Sequence, residues 1–143
     1  MKAERARLAR LKRLERIRDI ARRTALAEAG KAEGTLAQLQ ALADRTERMS
    51  ADYSVRTDLP DAHALHQLRQ FVAGLDRITH GTRADAVTAQ RVADTKAQEA
   101  AAAERRRAAV EERAEAQARL IARKTAASAV PVIGKKPTGT GLE

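Results

Sequence analysis

From Ala25 onward, hydrophobic residues of this chain recur with a seven-residue period that proline interrupts only once before residue 131. The interruption is the segment 56–61, which contains Pro60. After it the repeat continues for more than fifty residues, and a repeat of this length strongly favours a coiled coil. The two series of this second segment are Leu65, Val72, Thr79, Ala86, Ala93, Ala100, Arg107, Ala114, Ile121 and Leu68, Leu75, Thr82, Ala89, Lys96, Ala103, Val110, Gln117.

The first sixty residues predict a single helix, because Gly30 and Gly34 come without a proline and each costs only about 1 kcal/mol relative to alanine. From Ala25 onward the seam is predicted in two series, which are Ala25, Ala32, Leu39, Thr46, Tyr53 and Glu28, Thr35, Leu42, Met49. Before Ala25 the apolar residues recur every three positions and predict a wider apolar face. They are Leu8, Leu11, Leu14, Ile17 and Ile20.

The segment 56–61 predicts a short turn between two helices. Asp58 can cap the second helix, and Pro60 suits a first helical turn because its missing N–H would have no partner there. Long helices joined by a short turn pack antiparallel. The sequence therefore predicts an all-α fold, an antiparallel coiled-coil hairpin of one helix over about 3–55 and another over about 62–127.

The register of this hairpin is predicted by placing Tyr53 opposite Leu65. Extending the pairing away from the turn puts Leu39 near Thr79. In this register the bulky residues in the basic half of the first helix lie opposite small residues of the second helix, as close packing requires.

Composition limits how thick the core can be and how much of the chain can pack. Leu, Ile, Val and Phe supply 26 of the 143 residues, alanine supplies 33, and the only aromatic residues are Tyr53 and Phe71. Helices packed along a thin seam fit this content, whereas an enzyme with a buried pocket does not. Residues 129–143 contain two prolines and three glycines without a helical period, which predicts a disordered tail.

The net charge of +9 is concentrated at the start of the chain. Residues 1–24 hold ten basic and three acidic residues, whereas residues 25–128 hold sixteen basic and fifteen acidic ones. This asymmetry indicates an acidic partner at that end. The chain has no cysteine, no apolar run near the roughly 18 residues that cross a bilayer, and no apolar stretch behind its basic start. We therefore expect a cytoplasmic location.

Residue types that carry chemistry are sparse. His63 and His66 share a helical face near Asp61, but a metal site needs more ligands and a second shell, so exposed helix surface is the favoured interpretation. No nucleophile or acid–base group can be placed in an apolar pocket, because a two-helix hairpin has none. We expect no catalysis, no metal and no cofactor.

The basic segment 2–23 fits three interpretations: a helix face whose charge the partner helix balances, a nucleic-acid footprint, or a docking end for an acidic protein. The nucleic-acid alternative lacks aromatic stacking residues and any base-reading motif. The docking alternative combines an apolar ridge with a fringe of arginines. Its candidate residues are Leu8, Leu11, Arg13 and Arg16.

Phe71 fits two interpretations, since its neighbours fill the seam and leave it beside the seam. It either wraps the seam or belongs to an exposed patch near the hairpin tip that binds another protein. The patch at helical spacing consists of Phe71, Leu75, Ile78 and Thr82.

Several features of residues 1 to about 128 resemble the FliJ family. Its members are small components of the bacterial flagellar type III export apparatus, related in shape to the YscO-type stalks of injectisomes. The most specific feature is Phe71 followed by Leu75 after the turn. The others are the two-helix layout, the basic start Arg5–Arg23, the segment Leu42–Tyr53 that ends the first helix, and the charged run Glu99–Arg113.

The resemblance implies a non-enzymatic stalk that docks into the hexameric export ATPase, contacts the membrane export gate through a mid-chain patch and associates with export chaperones. It implies that the gate patch corresponds to the four residues from Phe71 to Thr82 named above. The ATPase-facing end is inferred from charge and the apolar ridge, at the four docking residues. The resemblance also implies a protein at the inner membrane's cytoplasmic side, peripherally associated at the flagellar base. A nucleic-acid-binding hairpin and a structural coiled coil remain alternatives.

Overall fold

The computed structural model of the protein describes residues 1–129 and 134 and contains two long α-helices packed against each other. The first, α1, spans Lys2–Ser54, and the second, α2, spans Ala62–Ala129. At 1.5 Å per residue they are about 80 and 100 Å long. The all-α hairpin is thereby confirmed, with helix bounds within two residues of those expected. The predicted tail over 129–143 lies outside the described residues, except for Ala129, which is helical, and Gly134.

The turn between the helices is fixed by a side-chain cap one residue before α2. Asp61 Oδ1 accepts a 2.8 Å hydrogen bond from the backbone N–H of Ala64, which would otherwise have no partner in the first helical turn. Asp58, which the sequence suggested as the cap, lies in the turn, and Pro60 precedes the helix. The cap moves to Asp61 because a capping side chain reaches only the N–H groups two or three residues ahead of it.

The seam predicted for α2 is confirmed along most of its length. Its buried members are Leu75, Thr82, Ala93, Ala100, Ala103, Val110, Ala114 and Gln117. The remaining predicted positions are half-buried, apart from Leu65 at the start of the helix, which is exposed. A heptad repeat that holds over eight heptads thus identifies the face of α2 that packs against α1.

In α1 only one of the two predicted seam series is correct. Thr46 of the first series is buried and its other members are half-buried. Of the second series, Glu28, Thr35 and Leu42 are exposed. The buried series lies one residue later and consists of Ala29, Leu36, Ala43 and Ser50, of which Leu36 is half-buried. It was missed because alanine and serine give almost no hydrophobic signal.

The predicted register is wrong by one heptad. Thr79 lies opposite Thr46, with their hydroxyl oxygens 2.7 Å apart, rather than near Leu39. Ser50 donates a hydrogen bond to Asp76 in the same register. A shift of seven residues returns every side chain to the same face, so the hydrophobic pattern fits either pairing. Polar partners across the seam distinguish the two registers.

The core of the hairpin is thin and partly polar. None of the large side chains in the described segment is fully buried, and the buried residues are mostly alanine, threonine and serine. The chain exposes 11147 Å² of surface. A compact protein of this mass would expose about 7,300 Å². The hairpin therefore leaves much more surface for partners than a globular domain of equal size.

Candidate protein-binding surfaces

The antiparallel fold brings two basic segments to the same end of the hairpin. We define the open end as residues 1–24 of α1 together with residues 105–124 of α2. These hold seventeen basic and six acidic residues, a formal charge of +11. Residues 25–104, which form the tip half, hold nine basic and twelve acidic residues, a charge of −3. The charge of the hairpin is thus distributed very unevenly between its two ends. The sequence alone indicated this excess of basic residues only for the first 24 residues.

Glu4 fastens the start of α1 to the end of α2. Its backbone carbonyl accepts a 3.3 Å hydrogen bond from Gln117 Nε2, and its carboxylate pairs with Lys124. The hydrogen bond from Lys124 lowers the pKa of the Glu4 carboxyl group below its usual value. Because both contacts cross between the helices, the two basic segments are held together at the open end.

An ion-pair cluster, which we call the ion belt, crosses the seam where the open end begins. Arg22 contacts Asp19 at 2.8 Å and Glu104 of α2 at 3.5 Å, and Arg107 contacts Glu104 at 2.7 Å and Glu111 at 2.6 Å. The hydrogen bond from Arg22 lowers the pKa of Asp19, and the one from Arg107 lowers that of Glu104. The hydrogen bonds that Arg107 donates to Glu104 and Glu111 raise the pKa of its guanidinium group. Asp19, Glu104 and Arg107 are therefore charged at neutral pH.

The four docking residues predicted from the sequence do not lie on one surface. Leu8 and Leu11 are half-buried within the seam, whereas Arg13 and Arg16 are exposed. The apolar ridge leaves the seam further along α1, since a spacing of three residues drifts around the helix. Its exposed members are Ile17 and Ile20, with 61% and 64% of their surface accessible. The outer face of the open end thus combines two isoleucines with exposed arginines.

Aromatic packing closes the tip half next to the turn. The rings of Phe71 and Tyr53 meet edge to face, with centres 5.0 Å apart and planes at 82°. The guanidinium carbon of Arg56 lies 4.2 Å from the centre of the Tyr53 ring, a distance typical of a cation–π contact. Phe71 therefore packs against α1, yet it remains 46% exposed. The ring thus wraps the seam, as the first interpretation has it, while binding of another protein through its exposed part stays a prediction.

The four residues of the predicted patch divide between the core and the surface. Leu75 and Thr82 are only 7% exposed and lie in the seam. Phe71 and Ile78, one heptad apart, face outward, and Ile78 is 51% exposed. Leu75 and Thr82 can hold α2 against α1, but they cannot contact another molecule while the helices stay packed.

Leu42 joins Phe71 and Ile78 on one flank of the hairpin. Lys96 binds Glu28 of α1 and Glu99 of α2, both at 3.3 Å, which shows that these two glutamates share a flank. Leu42 lies two heptads beyond Glu28, while Ile78 and Phe71 lie three and four heptads before Glu99. The heptad spacing predicted Leu42 in the seam, so its exposure could not be foreseen from the sequence.

The residue types that ligate metal ions are scattered over the described residues. In that part of the chain no three His, Asp or Glu side chains are grouped so that they could hold a metal ion. His63 and His66 are both exposed. Neither α1 nor α2 contains a stretch apolar enough to cross a membrane.

Comparison with protein-family models, with curated proteins and with solved structures finds no match to this chain. The surfaces described above therefore carry the functional argument.

Proposed function

We propose that the protein is a non-enzymatic stalk of a bacterial type III protein export apparatus, which couples the hexameric export ATPase to the export gate. The supporting observation is the uneven charge of the hairpin, whose open end carries a formal charge of +11 and whose tip half carries a formal charge of −3. The resemblance of its layout to the FliJ family supplies the ATPase, the gate and the export chaperones as partners. It also supplies a cytoplasmic location beside the inner membrane.

The open end is the part of the stalk that would enter the ATPase ring. Two packed helices form a rod about 20 Å wide, since each helix with its side chains is about 10 Å across. Exposed Arg13 and Arg16 would meet acidic side chains of the ring, and Ile17 and Ile20 would add apolar contacts beside them. Leu8 and Leu11 would instead keep α1 packed against α2 inside the ring.

The flank near the tip is the part that would contact the export gate. Phe71 and Ile78 would provide the direct contacts, because they are the exposed members of the predicted patch. Leu75 and Thr82 would support them from within the seam.

The mechanism would be mechanical rather than chemical. A ring can bias the position of a rod only if its nucleotide states differ in their contacts with the rod. A rod whose open end is held by the ring and whose flank touches the gate would transmit that difference by rigid-body movement. The protein itself would make and break no covalent bond.

Charge reversal at the open end tests the proposal against the purified export ATPase of the same genome. We expect the double variant Arg13→Glu/Arg16→Glu to lose affinity for the ATPase, with a larger loss at about 50 mM than at about 300 mM salt, because salt screens exposed charges. The matched control is Arg45→Glu/Arg48→Glu, an exposed pair of the same spacing on the tip half of α1. Failure of the wild type to bind, or a loss of equal size in both variants, would contradict the proposal.

Nucleic-acid binding is the second candidate, and the +11 open end is the observation that favours it. Binding driven by phosphate contacts falls steeply as salt rises. Duplex DNA of several unrelated sequences should therefore be titrated with the wild type at about 150 mM salt. Tight, sequence-independent binding that the Arg13→Glu/Arg16→Glu variant loses would replace the stalk proposal, whereas weak binding would leave the ATPase as the partner of this end.

A further inference from the structure

A second heptad stripe runs along α2 beside the seam and is largely exposed, although Phe71 at its start also touches Tyr53 of α1. Its positions alternate in steps of three and four residues, which is the spacing by which one helix packs on another. We call it the outer seam, and it consists of Phe71, Gly74, Ile78, Gly81, Asp85, Thr88, Val92 and Thr95. All of these are exposed except Gly74, which is half-buried. Only Asp85 is charged, in a chain in which 33% of residues are charged.

The two glycines leave room for a second helix against the outer seam. A Cβ atom at Gly81 would meet no atom within 4 Å, and one at Gly74 would meet only the end of the Arg77 side chain, at 3.9 Å. Packing within the hairpin therefore does not require glycine at either position. Glycine weakens a helix, but it lets another backbone approach closely.

We infer that the outer seam binds the outer seam of a second copy of this chain, with the two α2 helices antiparallel. In this arrangement a two-fold axis relates the two copies, so both contribute the same set of residues to the interface. Each residue of one copy then faces a different residue of the other. It places a bulky side chain opposite a small one wherever a bulky one occurs. The facing pairs are Phe71 with Thr95, Gly74 with Val92, Ile78 with Thr88, and Gly81 with Asp85.

The charge distribution also favours the antiparallel pairing. In this register residue 62 of one copy lies opposite residue 104 of the other, so the overlap ends before the basic segment of α2. The two +11 open ends then project in opposite directions, whereas parallel pairing would set them side by side. Asp85 of one copy faces Gly81 of the other copy. Arg77 of that other copy lies one helical turn before its Gly81 and provides a counterion for Asp85.

The expected interface is small. The stretch 71–95 of α2, which carries the outer seam, is about 36 Å long, and a single helix pair of that length falls in the size range of weak, reversible complexes. The inference does not depend on the stalk proposal, because it concerns the purified chain alone. However, Phe71 and Ile78 belong to both surfaces, so a dimer would compete with a partner that binds the flank near the tip.

Sedimentation equilibrium of the full chain between about 1 and 200 µM tests the dimer in the affinity range expected for such an interface. We expect the average mass of the wild type to rise from 15.6 kDa toward twice that value. Val92→Arg should stay monomeric, because its side chain would have to fit against Gly74 of the other copy. The matched control is Val87→Arg, at an equally exposed valine outside the outer seam, and it should dimerise like the wild type. A wild type that stays monomeric, or an equal effect of both variants, would overturn the inference.

Cysteine cross-linking tests the orientation, since the chain contains no cysteine of its own. We expect an oxidised mixture of the Gly74→Cys chain and the Val92→Cys chain to form disulfide-linked heterodimers. Neither chain alone should cross-link, because antiparallel pairing keeps each position away from its own copy. Cross-linking of Gly74→Cys with itself would indicate a parallel pair and overturn the proposed register, as would absence of heterodimers at concentrations where the wild type associates.

Discussion

Leu75 and Ile78 lie three residues apart on α2 and occupy opposite environments. Leu75 is buried in the seam, whereas Ile78 is half exposed on the flank. We expect Leu75→Ala to lower the free energy of unfolding by about 2 kcal/mol, the lower end of the range for buried leucine, because a two-helix seam leaves little packing to lose. Ile78→Ala should change it by less than about 0.5 kcal/mol, since alanine also has the better helix propensity.

Urea unfolding followed by circular dichroism measures both values on the same signal. Equal destabilisation by the two substitutions would show that Ile78 is part of the core and not of a binding surface.

The environment of Leu75 also shows which kind of sequence evidence was reliable. Periodicity placed Leu75 and Thr82 in the seam, and both are buried there. Helical spacing from Phe71, supported by the family resemblance, placed the same two residues in an exposed patch. The heptad repeat follows directly from the physics of helix packing, whereas the patch depended on the rotational position of one aromatic residue, and periodicity therefore prevailed.

Asp19 makes the stability of the open end sensitive to acid. The hydrogen bond from Arg22 lowers the pKa of the Asp19 carboxyl group in the folded state below its ordinary value. A group with a lowered folded pKa stabilises the fold above its unfolded pKa and loses that contribution as pH falls through the folded pKa. Between about pH 5 and about pH 2, the melting temperature of the wild type should therefore fall further than that of Asp19→Asn.

Thermal unfolding at several pH values checks this difference. Glu4 and Glu104 are present in both proteins, so their contributions to the pH dependence of the melting temperature cancel in the comparison. Asp52→Asn is the control, at an exposed aspartate that forms no ion pair within the described part of the chain. If the melting temperatures of Asp19→Asn and Asp52→Asn fell by the same amount in acid, the contact with Arg22 would not stabilise the hairpin.

At the scale of elements, the two helices and their turn could be predicted from the sequence, but their register could not. Helix-forming residues and the single Pro60 break determine where α1 and α2 begin and end. The register depends on which polar side chains meet across the seam, such as Thr46 with Thr79. A one-heptad shift leaves the hydrophobic pattern unchanged, so only these pairwise contacts distinguish the alternatives.

Engineered disulfides test the register directly. We expect Thr46→Cys/Thr79→Cys to form an intramolecular disulfide rapidly on oxidation, since the two side-chain oxygens are 2.7 Å apart. Leu39→Cys/Thr79→Cys, which joins residues expected to be neighbours in the alternative register, should stay reduced. The two forms separate by their mobility in non-reducing gels, and preferential closure of the second pair would contradict the observed register.

At the scale of the whole molecule, the polarity of the hairpin arises from folding and is only partly visible along the chain. The basic start of α1 is evident from the sequence. The residues 105–124, in contrast, belong to the stretch 25–128, whose basic and acidic residues nearly balance. Antiparallel packing brings this segment beside the first 24 residues, and the ion belt holds the two helices together there. The basic residues of the two segments can therefore be recognised as one surface only when the direction of α2 is known.

The length of the molecule in solution distinguishes the hairpin, the proposed dimer and a straight coiled coil. The single hairpin should be about 100 Å long, and two hairpins paired through their outer seams with residue 83 at the centre should span about 140 Å. A chain whose helices did not fold back would span about 190 Å. Small-angle X-ray scattering should therefore show about 100 Å at low concentration, lengthening toward about 140 Å as concentration rises, whereas Val92→Arg should stay at the lower value throughout. A length near 190 Å at any concentration would exclude the hairpin, and with it both the stalk and the antiparallel dimer.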